Sequence, residues 1–252
     1  MIWREAKIRF KAIVGIGLKA IACCELCGAN VGEIFLAEKR LKRSLVCQHC
    51  LDDFPFFNYD LLQGDLLSWP AIYHALPNIH FDSLFSLTPY MNPMAHWLRK
   101  FKYQGRFEFS SFFSVLLSSQ WQSVMKLSNV PVPDLILSVP LHVNKWQIRG
   151  YNQSHLIAKS FAKAVKLPYL ASALVRVKKN DSQVGKTGVE RRKNLCGAFA
   201  LTSPLPTQVK HVLLIDDVIT TGSTASEISQ LLKKAGIERV TLITVCLSLP
   251  KT

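Results

Sequence analysis

The sequence predicts an α/β protein built on a parallel sheet with flanking helices, preceded by a small four-cysteine module. Three observations predict it. Two short apolar runs, 134–139 (DLILSV) and 212–215 (VLLI), are each followed by a stretch of helical period, 153–166 and 225–235, which is the alternation of a parallel sheet rather than of hairpins. A third run, 239–247 (RVTLITVCL), continues the pattern. Five of the seven cysteines crowd into the first fifth of the chain, where Cys24-x-x-Cys27 and Cys47-x-x-Cys50 repeat one spacing.

Taken in order, the first 24 residues place basic side chains before AIVGIGL and AIACC, a partial likeness to a secretory or lipoprotein leader. Lys19 interrupts that apolar run, and the reading adopted is an amphipathic helix. The two Cys-x-x-Cys pairs have the spacing of a structural zinc ribbon, with Cys24, Cys27, Cys47 and Cys50 as four thiolates around one Zn²⁺ and Gly28 in a tight knuckle. A disulfide framework does not suit a chain that otherwise reads as intracellular, and unpaired core thiols would not repeat at this spacing. Cys23 could stand in for Cys24 and His49 sits between ligands, while Cys196 and Cys246 read as small core residues. Residues 1–58 are thus expected to form a helix and zinc ribbon, 59–80 a linker rich in Pro and aromatics, and 81–252 the main domain.

Within that domain Phe81 to Tyr90 is strand-like, the stretch after Pro93 is helical to about Gly105, and Phe107 to Met125 is a second apolar helix. The run 134–139 ends in a loop, Pro140 to Gly150, that carries Lys145 and Arg149. Asn152 is a candidate N-cap for a helix whose stripe is Leu156, Ile157, Ser160, Phe161, Ala164 and Val165. Arg176 to Phe199 is basic and lacks apolar period, and is expected to be a flap that shields a reacting centre from water.

The chain of 252 residues is 49% hydrophobic with a formal net charge of +14, enough for one ordinary core plus an appendage and suited to polyanionic partners. From Lys145 to Lys193 there are twelve Lys or Arg and only Asp181 and Glu190 as acids. No run approaches the roughly 18 to 20 apolar residues of a membrane span, so a cytoplasmic protein is expected. No aromatic strip accompanies the basic residues in sequence.

The most informative segment is Val212 to Thr224, VLLIDDVITTGST. The apolar strand brings Asp216 and Asp217 to its C-terminal end, where ligands bind in open α/β sheets. Thr220, Thr221, Gly222, Ser223 and Thr224 then supply hydroxyls and free backbone N–H groups at a helix start, which favours a phosphate. Thr224 with Glu227 reads as a capping box, and Gly236 as the C-cap. An ordinary strand, turn and capped helix would seldom combine all of these parts.

The segment resembles the phosphoribosyl diphosphate (PRPP) signature of type I phosphoribosyltransferases. The resemblance implies that Asp216 and Asp217 hold the ribose hydroxyls, that 220–224 wraps the 5′-phosphate, and that Mg²⁺ accompanies PRPP. Lys145, Arg149, Arg176 and Lys178 are candidates to neutralise the pyrophosphate. With KFKYQGR (Lys100 to Arg106), SVPLHVNKWQIRGYNQSHLIA (Ser138 to Ala158) and RRKNLCGAF (Arg191 to Phe199) in this order, the chain is similar to the ComF family of bacterial competence proteins. That likeness implies a type I phosphoribosyltransferase-like domain fused to a four-cysteine zinc ribbon, and a role in natural transformation or use of imported DNA, with DNA-uptake proteins as partners. Three functions fit: a Mg²⁺-dependent phosphoribosyltransferase, a PRPP sensor without turnover, and a protein that handles single-stranded DNA through its basic face and zinc ribbon.

Overall fold

The computed structural model describes residues 23–36, 39–41, 44–127, 130–177 and 195–248. The expected N-terminal helix and Lys178 lie outside them, as does most of the expected flap. The chain divides into two compact units, Met1–Pro55 and Phe56–Thr252.

In the first unit β1 (Ile34–Leu36) pairs antiparallel with β2 (Lys39–Leu41), and the short helix α1 (Gln48–Asp52) follows. Ile34, Val46 and Leu51 are buried and form its small core.

The second unit starts upstream of the sheet. Residues 59–80, expected as a linker, carry structure that packs within this unit. Tyr59 is buried against Phe85, and its hydroxyl donates to Ser86 O and accepts from Ser86 N–H, both at 2.7 Å. A 3-10 turn (Leu66–Ser68), capped by the Asp65 carboxylate, leads into helix α2 (Pro70–Ala75), which begins on proline as helix starts often do.

Four parallel strands then make the sheet, in the order β3 (Ser83–Pro89), β8 (Arg239–Leu247), β7 (His211–Ile219), β4 (Leu135–Ser138). Their side chains are buried almost throughout, which is why these runs read as continuous rather than alternating apolar stretches. Helix α3 (Met94–Tyr103) buries Met94, Trp97, Leu98 and Phe101, the i, i+3, i+4, i+7 face of one stripe. Trp97 meets Phe109 and Phe112 of α4 (Glu108–Val124), and Phe101 meets Phe113. Each such ring contributes roughly 1.5–3 kcal/mol by leaving water.

Helix α6 (Gln153–Val165) packs against α4 and against β4 and β7. Serines let the two helices approach: the Ser114 hydroxyl, buried in α4, donates to Ile157 O at 3.0 Å. The predicted cap is present, Asn152 accepting from Ser154 N–H at 3.1 Å. Strands β5 (Leu174–Arg176) and β6 (Phe199–Leu201) form a separate antiparallel pair, and α7 (Ser223–Lys234) lies against β6 and β8. No helix among the described residues is long and apolar enough to cross a membrane.

Candidate functional site

Strand β7 does not stop at Ile215 but runs through the acid pair to Ile219. Its neighbour β4 ends at Ser138, paired with Ile215, and Val139 N–H closes the ladder on Ile215 O at 2.9 Å. The carboxylates therefore project past the end of that neighbour, at the C-terminal edge of the sheet. Asp216 accepts from the Ser154 hydroxyl of α6 at 2.8 Å and from Asp217 N–H at 2.8 Å. Asp217 accepts from Lys102 Nζ at 2.9 Å. Burial, and next the neighbouring Asp217 charge, raise Asp216 to about 7, so this carboxyl sits far above the ordinary aspartate range. For Lys102, burial alone would lower the pKa, but Asp217 and then Asp216 raise it overall, so the lysine is firmly charged.

Beyond β7 the chain turns through Thr220, Thr221 and Gly222 into α7. Gly222 has φ +68°, and a Cβ there would make ordinary contact with Ile79 Cγ2 at 3.4 Å and Phe81 Cε1 at 3.5 Å, so it is the left-handed turn rather than lack of space that calls for glycine. The predicted capping box is absent. The N-cap is Gly222, two residues earlier than Thr224, so Glu227 falls too deep in the helix to reach back to the cap. Glu227 instead accepts from Gly197 N–H at 2.7 Å. The first turn of α7 is left without a side-chain cap, and its N–H groups have no acceptor within the helix. Thr221 and Ser223 hydroxyls bond each other at 2.9 Å. Asp216 and the run 218–225 line one open cleft. One wall is acidic and the other presents a helix start, which is a place for a polyol joined to an anion.

The segment expected as a loop after β4 contains helix α5 (Val143–Arg149), begun by His142 Nδ1 accepting from Asn144 N–H and ended by Gly150 at φ +74°. Arg149 is held on three sides: it donates to Gln153 Oε1 and to the Tyr103 hydroxyl, each at 3.0 Å, and lies over the Tyr103 ring at 4.9 Å. Burial lowers Lys145, and the charges of Arg149, Arg176 and Lys102 lower it further. That field shows four cations sharing one neighbourhood. Burial also lowers Arg176, whose guanidinium lies over the Phe199 ring at 5.4 Å and whose Nε and Nη2 find no hydrogen-bond partner among the described residues. Sequence reasoning names three of these four and assigns no role to Lys102. It lies in KFKYQGR, one of the segments that carry the family resemblance, but a lysine in the last turn of an amphipathic helix is ordinarily a solvated residue. Ser154 likewise carries no distinguishing signal, one residue inside the start of α6.

Aromatics do accompany these cations in space, although not in sequence. Tyr103 stacks with Arg149 and is 65% exposed, and Trp146, in the same helix as Lys145 and Arg149, is 53% exposed.

In the first unit the Sγ atoms of Cys24, Cys27, Cys47 and Cys50 lie within 4.8 Å of one another, with Cys27 and Cys47 at 3.6 Å. Zinc bonds of about 2.3 Å in a tetrahedron put sulfurs roughly 3.8 Å apart, so the donor set and its spacing fit Zn²⁺. Each knuckle is held by its own backbone: Gly28 N–H bonds Cys24 O at 3.0 Å and Leu51 N–H bonds Cys47 O at 3.0 Å. Burial would raise Cys24, but backbone N–H groups of Cys27, Cys47 and Leu26 bring it down to about 6, while the Cys27 side chain and then burial raise Cys50, so without metal the four sulfurs share their protons unevenly. Cys23 pairs with Asn30 through a β-bridge and is not in the cluster, and His49 is exposed and faces Asp53 at 3.9 Å. Four thiolates would fill a tetrahedral shell, the pattern of a structural rather than a catalytic metal.

Residues 152–251 match the model of the phosphoribosyl transferase domain family. Competence protein F of Haemophilus influenzae is 31% identical over 205 residues, which are 81% of this chain and 85% of that protein. DNA utilization protein YhgH of Escherichia coli O157:H7 is 32% identical over 169 residues, 67% of this chain and 74% of that protein. Among solved structures, a hypoxanthine phosphoribosyltransferase from Staphylococcus aureus is 16% identical, covering 55% of this chain and 62% of that one with a TM-score of 0.33. The extent of the Haemophilus match, taken with the domain match across the acid pair and its loop, means that this chain belongs to the ComF family.

Proposed function

We propose that the cleft at the C-terminal edge of the sheet binds PRPP and that the protein acts as a phosphoribosyltransferase in the use of imported DNA. The observation that carries this reading is that Asp216 and 218–225 line one cleft, while the adjacent Asp217 pairs with Lys102, which shares its neighbourhood with Lys145, Arg149 and Arg176. Asp216 and Asp217 would accept from the ribose hydroxyls, and the N–H groups of the first α7 turn would take the 5′-phosphate. Ser154 would keep the Asp216 carboxylate oriented. Lys145, Arg149 and Arg176 would neutralise the pyrophosphate as the bond to C1′ loosens, since such a step needs electrostatic clamping more than a strong base. The adjacent carboxylates Asp216 and Asp217 are hard oxygen donors that would suit Mg²⁺, whose positive charge would help to offset that of the pyrophosphate. The names of the relatives, competence protein F and DNA utilization protein, support the biological setting.

Calorimetric titration with PRPP and Mg²⁺ tests the site; one saturable event per chain is expected, and no heat would refute it. Pyrophosphate release with a base, nucleotide or amine acceptor separates an enzyme from a sensor. A second reading, a contact with single-stranded DNA, is favoured by the exposed Tyr103 and Trp146 beside Lys145 and Arg149, because stacking rings among cations suit splayed bases. Its affinity should fall steeply with salt.

A further inference from the structure

Lys102 and Asp217 form the least exposed ion pair among the described residues, their side chains only 19% and 12% exposed. Removing both charges from water is costly, and a buried pair is weak grounds for a role in stability. Its position is more telling. Lys102 closes the last turn of α3, whose apolar face is buried, so its stem is rooted while its ammonium reaches the acid pair. Cations lie near it as well: Arg149 donates at 3.0 Å to the hydroxyl of Tyr103, the next residue of α3, and opposes the charge of Lys102, which in turn opposes that of Lys145. The ammonium thus lies at the seam between the carboxylates suited to a sugar and the cations suited to a polyanion. It also covers a carboxylate oxygen that a ribose hydroxyl would need.

We propose that Lys102 changes partner when PRPP binds, leaving Asp217 to the ribose hydroxyls and turning its ammonium to the pyrophosphate beside Lys145 and Arg149. The idea rests on the PRPP reading and deepens it. A lysine suits such an exchange because its charge is compact, its stem flexible and its three donors freely rotating. Without ligand it neutralises Asp217 and limits the repulsion between two adjacent carboxylates. With ligand, a pyrophosphate offers more negative charge than the carboxylate it gives up. Removing the ammonium therefore has opposite consequences for the two halves of the ligand.

The test is calorimetry of the full chain with Mg²⁺ and, separately, PRPP, pyrophosphate and ribose 5-phosphate, comparing the wild type with Lys102→Met. PRPP and pyrophosphate are expected to weaken roughly 10- to 100-fold, the loss of one charge-assisted hydrogen bond, while ribose 5-phosphate binds as tightly as before or more tightly. Equal weakening of PRPP and ribose 5-phosphate would mean that Lys102 only holds Asp217 in place, and unchanged PRPP binding would mean that it never reaches the ligand; either result overturns the proposal. A melting curve establishes that the variant is folded. If it is not, Lys102→Gln, which can still hydrogen-bond Asp217, must show the same split. A wild type that binds none of the three ligands removes the PRPP reading itself, whereas binding by the wild type with an unaltered variant removes only the partner exchange.

Discussion

Where the strands of the sheet begin, Asp134 accepts the backbone N–H groups of Lys210 and His211, each at 2.8 Å, and Asp82 accepts Val240 N–H at 2.8 Å and Lys233 Nζ at 2.6 Å. Where the strands end, Asp216 and Asp217 stand side by side, answered by one hydroxyl, one backbone N–H and one lysine. The two edges push their carboxylates in opposite directions. The His211 and Lys210 N–H groups hold Asp134 below its ordinary pKa, whereas burial and Asp217 lift Asp216 to about 7. At the first edge negative charge is wanted by the fold and staples strand starts together. At the second it is tolerated by the fold, the condition expected where a ligand is to supply the missing partners.

A third cluster extends the contrast to its limit. The thiols of Cys24, Cys27, Cys47 and Cys50 face one another, so their unit should depend on metal outright. Zinc sites of this kind feed about 10 kcal/mol or more of binding into folding. Chelation should release one zinc per chain and abolish hydrogen-exchange protection at 44–51, while that of β7 persists; protection surviving in both would break the comparison.

At the C-terminal edge, Asp217→Asn should weaken PRPP about 10- to 100-fold, by loss of a charged acceptor, and leave the melting temperature nearly unchanged. Asp134→Ala should do the reverse, costing about 1 kcal/mol of stability with PRPP affinity intact. If both variants lost stability alike, the division between the edges would be wrong.

The pH dependence follows with opposite signs. Asp216 binds its proton more tightly folded than unfolded, so it contributes stability at low pH that is lost between about pH 4 and 7 as the folded group ionises. Asp134, held low, contributes stability above its unfolded pKa that is lost as pH falls through the folded value. Denaturant titrations of Asp216→Asn should flatten the first slope and leave the second, and PRPP binding to the wild type should tighten as pH rises through about 7. The smallest effect is expected at the loop, where Gly222→Ala must strain a positive φ and should cost about 1 kcal/mol, read as a lowered denaturation midpoint.

Much of this is legible in the sequence because its signals are local. The strands announce themselves as apolar runs, the cysteines by spacing, and the acid pair with its loop by adjacency. What cannot be read is contact over distance. Lys102 meets Asp217 across 115 positions, and Ser154 meets Asp216 across 62. Spacing alone puts Glu227 in a cap, yet tertiary structure moves the helix start to Gly222 and gives the carboxylate to Gly197. The segment holding Lys145 and Arg149 is helical because His142 and Gly150 bracket it, signals that its short run of mixed polarity does not reveal.

The seat of Gly222 has a further consequence. Leu76, Ile79 and Phe81, delivered from the stretch before β3, form the floor beneath Gly222 in the turn proposed to take the phosphate. Enlarging or trimming any of the three would tilt that turn without touching its donors, so variation far upstream in the polypeptide can retune affinity for an anion that those apolar side chains never meet.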